Sequence, residues 1–245
     1  MSRFYVPKEN VKGKNIVIDG KEAHHILDVM RLKDGDTVVV FDGTGNEYSG
    51  FIKDIDARAR RLNVEIVRTE KPPRDSMPEV TLAQAIPKKG KMAYIVEKAT
   101  ELGVSNVIPF ISERTVVKPD RAGRKKKTER WQKIAVEAAK QCGRTGIPVV
   151  GDVVEFEDLA KRINEYDLSL LACLSGETVP LKDTLAGFKA GKILVLIGPE
   201  GDFTPEEAKM ADRDNCRFVS LGRRVLKSDT AGLFVLSALN YEFTL

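Results

Sequence analysis

The feature that most restricts this chain is a set of short, nearly unbroken apolar runs in its second two-thirds: Val80–Ala85, Val107–Ile111, Leu168–Ala172, Ile193–Ile197 and Phe218–Leu221. Runs of this length are strands, and strands without polar alternation must be buried on both faces. Segments with helical spacing lie between them. Lys91–Leu102 sets Met92, Ile95, Val96, Ala99 and Leu102 on one face and stops before Gly103; Glu129–Cys142 does the same with Trp131, Ile134, Ala135 and Ala138. Two more helices are predicted from their starts. Thr204-Pro-Glu-Glu207 reads as a capping box with proline in the first turn, and Ser228-Asp-Thr230 as a cap on the C-terminal helix. This alternation predicts an α/β domain, a mostly parallel sheet covered by helices on both faces.

The first 70 residues read differently. Val38–Phe41, Tyr48–Ile52 and Leu62–Val67 are β-rich and divided by turn signals such as Asp42-Gly43, with one helix expected from Lys21 to Met30. Then Lys71-Pro-Pro-Arg-Asp-Ser-Met-Pro78 places prolines where neither helix nor ladder tolerates them, so the domains are expected to be 1–72 and 73–245. No apolar run approaches the roughly 20 residues of a membrane helix, and the N-terminus lacks a signal-peptide core. Cys142, Cys173 and Cys216 are odd in number and far apart, which argues against disulfides and zinc. A cytoplasmic protein without a metal is the expectation.

A net charge of +4 conceals an uneven distribution. Residues 72–150 carry 16 basic and 8 acidic side chains, whereas 151–245 carry 11 and 16. The positive excess is densest from Lys118 through Arg124, Lys125, Lys126 and Lys127 to Arg130 and Lys133. Such a stretch suits a polyanionic partner; a solvated basic loop is the plain alternative.

Two glycine-bearing loops follow predicted strands, Gly198-Pro-Glu-Gly201 and Leu221-Gly222. In open parallel sheets, ligands bind beyond the carboxyl ends of strands. Glu200 and Asp202, with no Gly-Lys-Ser/Thr, exclude a P-loop, and no G-x-G-x-x-G is present. A neutral or locally cationic ligand fits better than phosphate, and a ligand-free strand-to-helix turn is the competing reading. In LGRRVLKSDTA, Arg223, Arg224 and Lys227 gather beside the second turn, where guanidinium groups suit phosphates or planar polar groups. Val225 and Leu226 between them call for burial. His24 and His25 point about 100° apart on a helix, so packing or hydrogen bonding is expected of them, and no Ser–His–Asp or reactive-cysteine pattern is found.

Taken together, IGPEGDF and LGRRVLKSDTA resemble the IGPEGG…LGxRILRxETA pair of the RsmE family, SPOUT-class methyltransferases acting on N3 of a uridine in small-subunit (16S) ribosomal RNA. IPKKGKMAYIVEKATELGVSNVIPF, AVEAAKQCGRTGIPVV, Arg3-Phe-Tyr, Glu22-Ala-His-His-Ile26 and Met30-Arg-Leu32 extend the likeness over nearly the whole chain. The resemblance implies an N-terminal PUA-like β-barrel for RNA and a C-terminal α/β domain with a trefoil knot over about 168–245. It also implies S-adenosylmethionine as cofactor, 16S ribosomal RNA in the assembled small subunit as substrate, and a homodimer. Apolar positions on the final helix (Leu233, Phe234, Leu236, Leu239) are compatible with such an interface. By the match, Leu196, Gly198, Glu200, Gly201, Leu221, Gly222, Val225 and Leu226 would line the cofactor site. Asp202 departs from the family's second glycine, Val225 from isoleucine, Lys227 from arginine and Asp229 from glutamate. Uracil N3 must lose its proton before attack, so a base or an anion-stabilising cation is required. Arg224 is the first candidate, then Arg3 and Arg144. Lys88, Lys89, Lys118, Arg124, Lys125, Lys126 and Lys127 are the expected RNA contacts. Two other readings share these features: a knotted enzyme acting on ribose 2′-hydroxyls of another RNA, and a non-catalytic assembly factor that binds RNA.

Overall fold

The computed structural model describes residues 3–71, 78–189 and 191–244. It forms two compact units, Met1–Arg74 with Ala139–Ile147, and Asp75–Ala138 with Pro148–Leu245. Most of the proline-bearing stretch expected to separate them, residues 72–77, lies outside the described residues.

The first unit is a six-stranded sheet of β1 (Arg3–Tyr5), β2 (Val11–Lys12), β3 (Asn15–Ile18), β4 (Thr37–Phe41), β5 (Glu47–Asp56) and β6 (Arg61–Glu70), ordered β1-β4-β5-β6-β3-β2. Only β1 and β4 pair in parallel. Phe4, Ile16, Ile18, Val38, Val40, Ile52, Leu62 and Val64 form its core with Ile26. The expected helix is α1 (Gly20–His24), but it relaxes into a π-helical turn over His25–Val29, closed by the Met30 amide on the His25 carbonyl at 2.9 Å. His24 Nδ1 pairs with the Asp28 carboxylate and His25 packs edge-on against Phe4, the bonding and packing roles expected of them. Segment 139–147 belongs to this unit through Ile147 N to Gly43 O (3.0 Å), Gly45 N to Thr145 O (3.2 Å) and Lys140 Nζ to Glu22 Oε1 (2.6 Å).

Asp42, 3 % exposed, organises the β4–β5 turn. Its carboxylate accepts from Thr44 N and Oγ1 (both 2.8 Å), Asn46 Nδ2 (2.8 Å) and Tyr48 Oη (2.9 Å). Burial pushes its pKa up, but the bonds from Asn46, Thr44 and Tyr48 together outweigh burial and hold it below the usual carboxylate range. Burial and the bond to Asp42 push the Tyr48 phenol up to about 12. A depressed folded pKa gives stability that is present above the unfolded value near ~3.9 and lost as pH falls through the folded value. Asp42→Ala is therefore expected to cost about 2 kcal/mol in urea unfolding at neutral pH, and the gap from wild type to narrow as the pH drops below about 4.

The second unit holds β7 (Glu79–Ala85), β8 (Asn106–Ile111), β9 (Val149–Val150), β10 (Val154–Glu155), β11 (Leu168–Ala172), β12 (Val179–Pro180), β13 (Lys192–Ile197) and β14 (Cys216–Ser220). The order is β10-β8-β7-β13-β11-β14-β12, with β9 also on β8, and every pair is parallel. The helices are α2 (Met92–Glu101), α3 (Arg121–Cys142), α4 (Phe156–Lys161), α5 (Leu181–Leu185), α6 (Pro205–Ala211) and α7 (Ser228–Thr244). Side chains alternate between two cores, as unbroken apolar strands require. Ile193, Val195 and Ile197 pack with Ile95, Val235 and Leu236 on one face; Leu194 and Leu196 pack with Phe156, Leu159 and Phe203 on the other. From β11 the chain runs out to β12 at the sheet edge, crosses back to β13 on the other side of β11, and returns to β14 between β11 and β12. Such a switch point opens a crevice at the carboxyl ends of the strands. Among the described residues no helix is long and apolar enough to cross a membrane.

Two expectations are corrected. Helix α3 starts at Arg121, not Glu129, so Lys125, Lys126 and Lys127 are helical and not a loop. Asp120 starts it, its carboxylate receiving Gly123 N at 2.8 Å, and lysine and arginine are good helix formers. Ser228 does not cap α7; it is the first helical residue, and its hydroxyl is engaged elsewhere, as described below. The capping box at Thr204 and Glu207 forms as expected, with bonds of 3.2 and 3.0 Å.

Candidate functional site

Four loops follow the carboxyl ends of neighbouring strands: Pro87–Lys91 after β7, 173–178 after β11, Gly198–Phe203 after β13 and Leu221–Lys227 after β14. The third is the centre of the arrangement. At Gly198 a Cβ would lie 3.1 Å from the buried Phe203 ring, which stacks on Phe110 and leans on Phe156, so a side chain there would have to push the ring aside. At Gly201 a Cβ would meet Arg114 Cβ at 3.3 Å.

The loop is held by its neighbours. Ser228 Oγ donates to Gly198 O at 2.7 Å and accepts from Gln84 Nε2 at 2.9 Å. Arg114 donates to Gly201 O at 2.7 Å and Phe203 O at 3.3 Å. The two acidic residues, anomalous in a glycine loop, each receive a backbone amide. Glu200 Oε1 accepts from Lys88 N at 3.0 Å and Asp202 Oδ2 from Leu174 N at 2.9 Å. Asp202 stands at φ +62°, in the left-handed region that favours glycine. Aspartate is among the few residues that enter that region at modest cost. Its backbone closes the turn, N to Pro199 O at 3.0 Å, and its carboxylate binds the next loop. Asp202→Ala is expected to be less stable than Asp202→Gly by about 1 kcal/mol, since alanine keeps the strain and glycine removes it. Thermal unfolding of the two variants checks this.

Burial, and secondarily the Asp202 charge, push the Cys173 thiol up to about 11. Burial, with Asp212 next, pushes Cys216 up to about 12. Both thiols are protonated at neutral pH and neither is a nucleophile. In the β14 loop Gly222 sits at φ +111° with its amide 3.3 Å from Ser220 Oγ. Leu221 and Leu226 pack on the core, but Val225 is 73 % exposed, against the expectation that it be buried. The loop runs beyond the end of its strand, so Val225 and Leu174 (64 % exposed) leave apolar surface open at these strand ends. Arg223, Arg224 and Lys227 are exposed beside it.

Leu196, Gly198, Glu200 and Gly201 thus share one strand end, and Leu221, Gly222, Arg224, Val225 and Leu226 share another two strands away in the same unit. Lys88 and Lys89 are exposed on the β7 loop; Lys118, Arg124, Lys125, Lys126 and Lys127 lie just before and along the start of α3. Arg124 is committed to Glu155 Oε1 at 2.6 Å. Arg3 and Arg144 lie in the first unit. The Arg3 guanidinium bonds the Glu47 carboxylate and the Gly143 carbonyl and lies over the Phe41 ring, so it ties segment 139–147 to the sheet. Sequence reasoning missed Gln84, Arg114 and Ser228 as supports of the loop. A lone glutamine in the apolar run Val80–Ala85, fully buried, was the readable signal for the first.

A family model described as an RNA methyltransferase domain matches residues 74–240, and another described as an RNA methyltransferase PUA domain matches residues 18–63. The chain belongs to the RNA methyltransferase family. It is 32 % identical over 250 residues to the ribosomal RNA small subunit methyltransferase E of Bacillus subtilis, covering 99 % of this chain and 97 % of that one. The enzyme of the same name from Synechocystis is 30 % identical, over 97 % and 77 %. The crystal structure of the Neisseria gonorrhoeae methyltransferase E bound to S-adenosyl methionine superposes with a TM-score of 0.85 at 28 % identity, over 99 % and 98 %. The RNA methyltransferase architecture accounts for both sheets, a parallel α/β sheet and a curled PUA-like one.

Proposed function

We propose that the protein transfers a methyl group from S-adenosylmethionine to N3 of a uridine in 16S ribosomal RNA, as a homodimer acting on the assembled small subunit with the 168–245 region knotted. The observation that carries this reading is the loop construction beyond β13 and β14: a close-packed glycine turn after β13, a glycine at positive φ after β14, exposed apolar side chains, and acids engaged by backbone amides.

These residues fit the cofactor. Its adenine and sulfonium carry no phosphate, so carboxylates nearby are no obstacle, and Val225 with the half-buried Leu221 and Leu226 supplies apolar surface for a planar base, whereas the Leu196 side chain is fully buried in the core and supplies none. When bound, the cofactor supplies an electrophilic methyl group. The chain supplies orientation, which for an in-line displacement is the main contribution. Arg224, exposed on the β14 loop, is the residue proposed to stabilise the anion that uracil forms across O2 and O4 when N3 is deprotonated. Arg3 is bound to Glu47 and Gly143 and serves its own unit instead.

Lys88, Lys89 and the first turns of α3 supply phosphate contacts. Replacing Lys125, Lys126 and Lys127 with serine is expected to lower RNA affinity and reduce the slope of log K against log salt by roughly 2. Cofactor affinity should not change. An unaltered slope in filter binding would return this turn to mere solvated surface. The functional reading is tested by calorimetry with S-adenosylmethionine, where saturable binding is expected and its absence would favour an assembly factor without catalysis.

A further inference from the structure

The loop after β7 is pinned from two sides. Lys88 N donates to Glu200 Oε1 at 3.0 Å, and Lys91 Nζ pairs with Asp229 Oδ2 at 2.7 Å on the first turn of α7. Between these points Lys89 is held at φ +57°, a left-handed conformation that a lysine keeps only when its surroundings over-determine it. Lys88 and Lys89 both extend into solvent. Pro87 precedes them, and Gly90 follows at φ +69°, so the loop is a tight, cationic turn and not a slack one. Glu200 itself is exposed, and its carboxylate points across to this neighbouring strand end while Gly198 and Gly201 form the turn that carries it.

We propose that Glu200 is a positioning residue for the RNA, not a contact for the cofactor: its carboxylate fixes the Lys88–Lys89 turn so that both ammonium groups meet substrate phosphates beside the methyl-transfer site. This rests on the functional reading above. The chemistry is a charge-assisted bond from a carboxylate to a main-chain amide. It requires an acceptor at that place, and not a negative charge facing a sulfonium. Glutamine keeps the acceptor and removes the charge, whereas alanine removes both.

The test compares wild type, Glu200→Ala and Glu200→Gln by S-adenosylmethionine calorimetry and by steady-state methylation of small subunits isolated from cells lacking the gene. Glu200→Ala should raise KM for subunits about tenfold, the worth of one charge-assisted hydrogen bond, with kcat and cofactor Kd little altered. Glu200→Gln should recover most of that loss. Weakened cofactor binding in both variants alike, with KM for subunits unmoved, would overturn the proposal and make Glu200 an electrostatic contact for the sulfonium. A wild-type protein that binds no cofactor would instead overturn the functional reading itself, and this inference with it.

Discussion

Replacing Arg224 with alanine is expected to lower methyl transfer by about 100- to 1,000-fold, the usual effect of deleting one donor that stabilises a developing anion. The protein should unfold at the same temperature as wild type, because Arg224 is exposed on the β14 loop. Cofactor affinity should also hold. Arg224→Lys should fall between, since an ammonium supplies the charge but not a planar fork spanning both uracil oxygens. The contrast is Arg3→Ala, which removes the bonds to Glu47 and Gly143 and should be read first as a loss of stability in the first unit. Full turnover by Arg224→Ala would remove Arg224 from the mechanism and leave the anion to another group.

Gly222→Val is expected to weaken S-adenosylmethionine binding by about 10- to 100-fold. At φ +111° the backbone is in a region that a β-branched residue enters only at a cost of order 1–3 kcal/mol. A Cβ there meets nothing within 4 Å, so the effect comes from backbone conformation and not from a clash. The loop must shift, and Leu221 and Leu226 must then leave the core or drag the turn with them. The same strain lowers thermal stability, by about 1–3 kcal/mol, so affinity is read at a temperature where the variant is still folded. Calorimetry and thermal unfolding on the same preparation separate the two, and an unchanged Kd would place the ligand elsewhere.

Much of the parallel sheet was legible because its signal is local. A run such as Ile193–Ile197 has no polar side to offer solvent, and the structure buries both of its faces. The capping box at Thr204 was likewise readable from four consecutive residues. What escaped depends on contacts distant in sequence. Nothing in the run Ala139–Ile147 announces that it joins the N-terminal unit; bonds to Gly43, Gly45 and Glu22, about a hundred residues earlier, place it there. Ser228 has the composition of a cap, yet Gly198 and Gln84 lie close enough to take its hydroxyl. Lys125, Lys126 and Lys127 suggested a loop by charge alone, and Asp120 five residues earlier made them helical. Asp202 is the instructive case. Against the family pattern it was an unexplained loss of glycine, and only its φ and its bond to Leu174 show that it keeps the turn while adding a tie to the next loop.

The most direct test of the central claim is nucleoside mass analysis of 16S ribosomal RNA. Small subunits from cells lacking the gene are incubated with the purified protein and isotope-labelled S-adenosylmethionine, then digested. The account predicts labelled N3-methyluridine at a single position, absent from subunits incubated without protein. Label on a ribose 2′-hydroxyl, or no label from a protein that binds the cofactor, would contradict it.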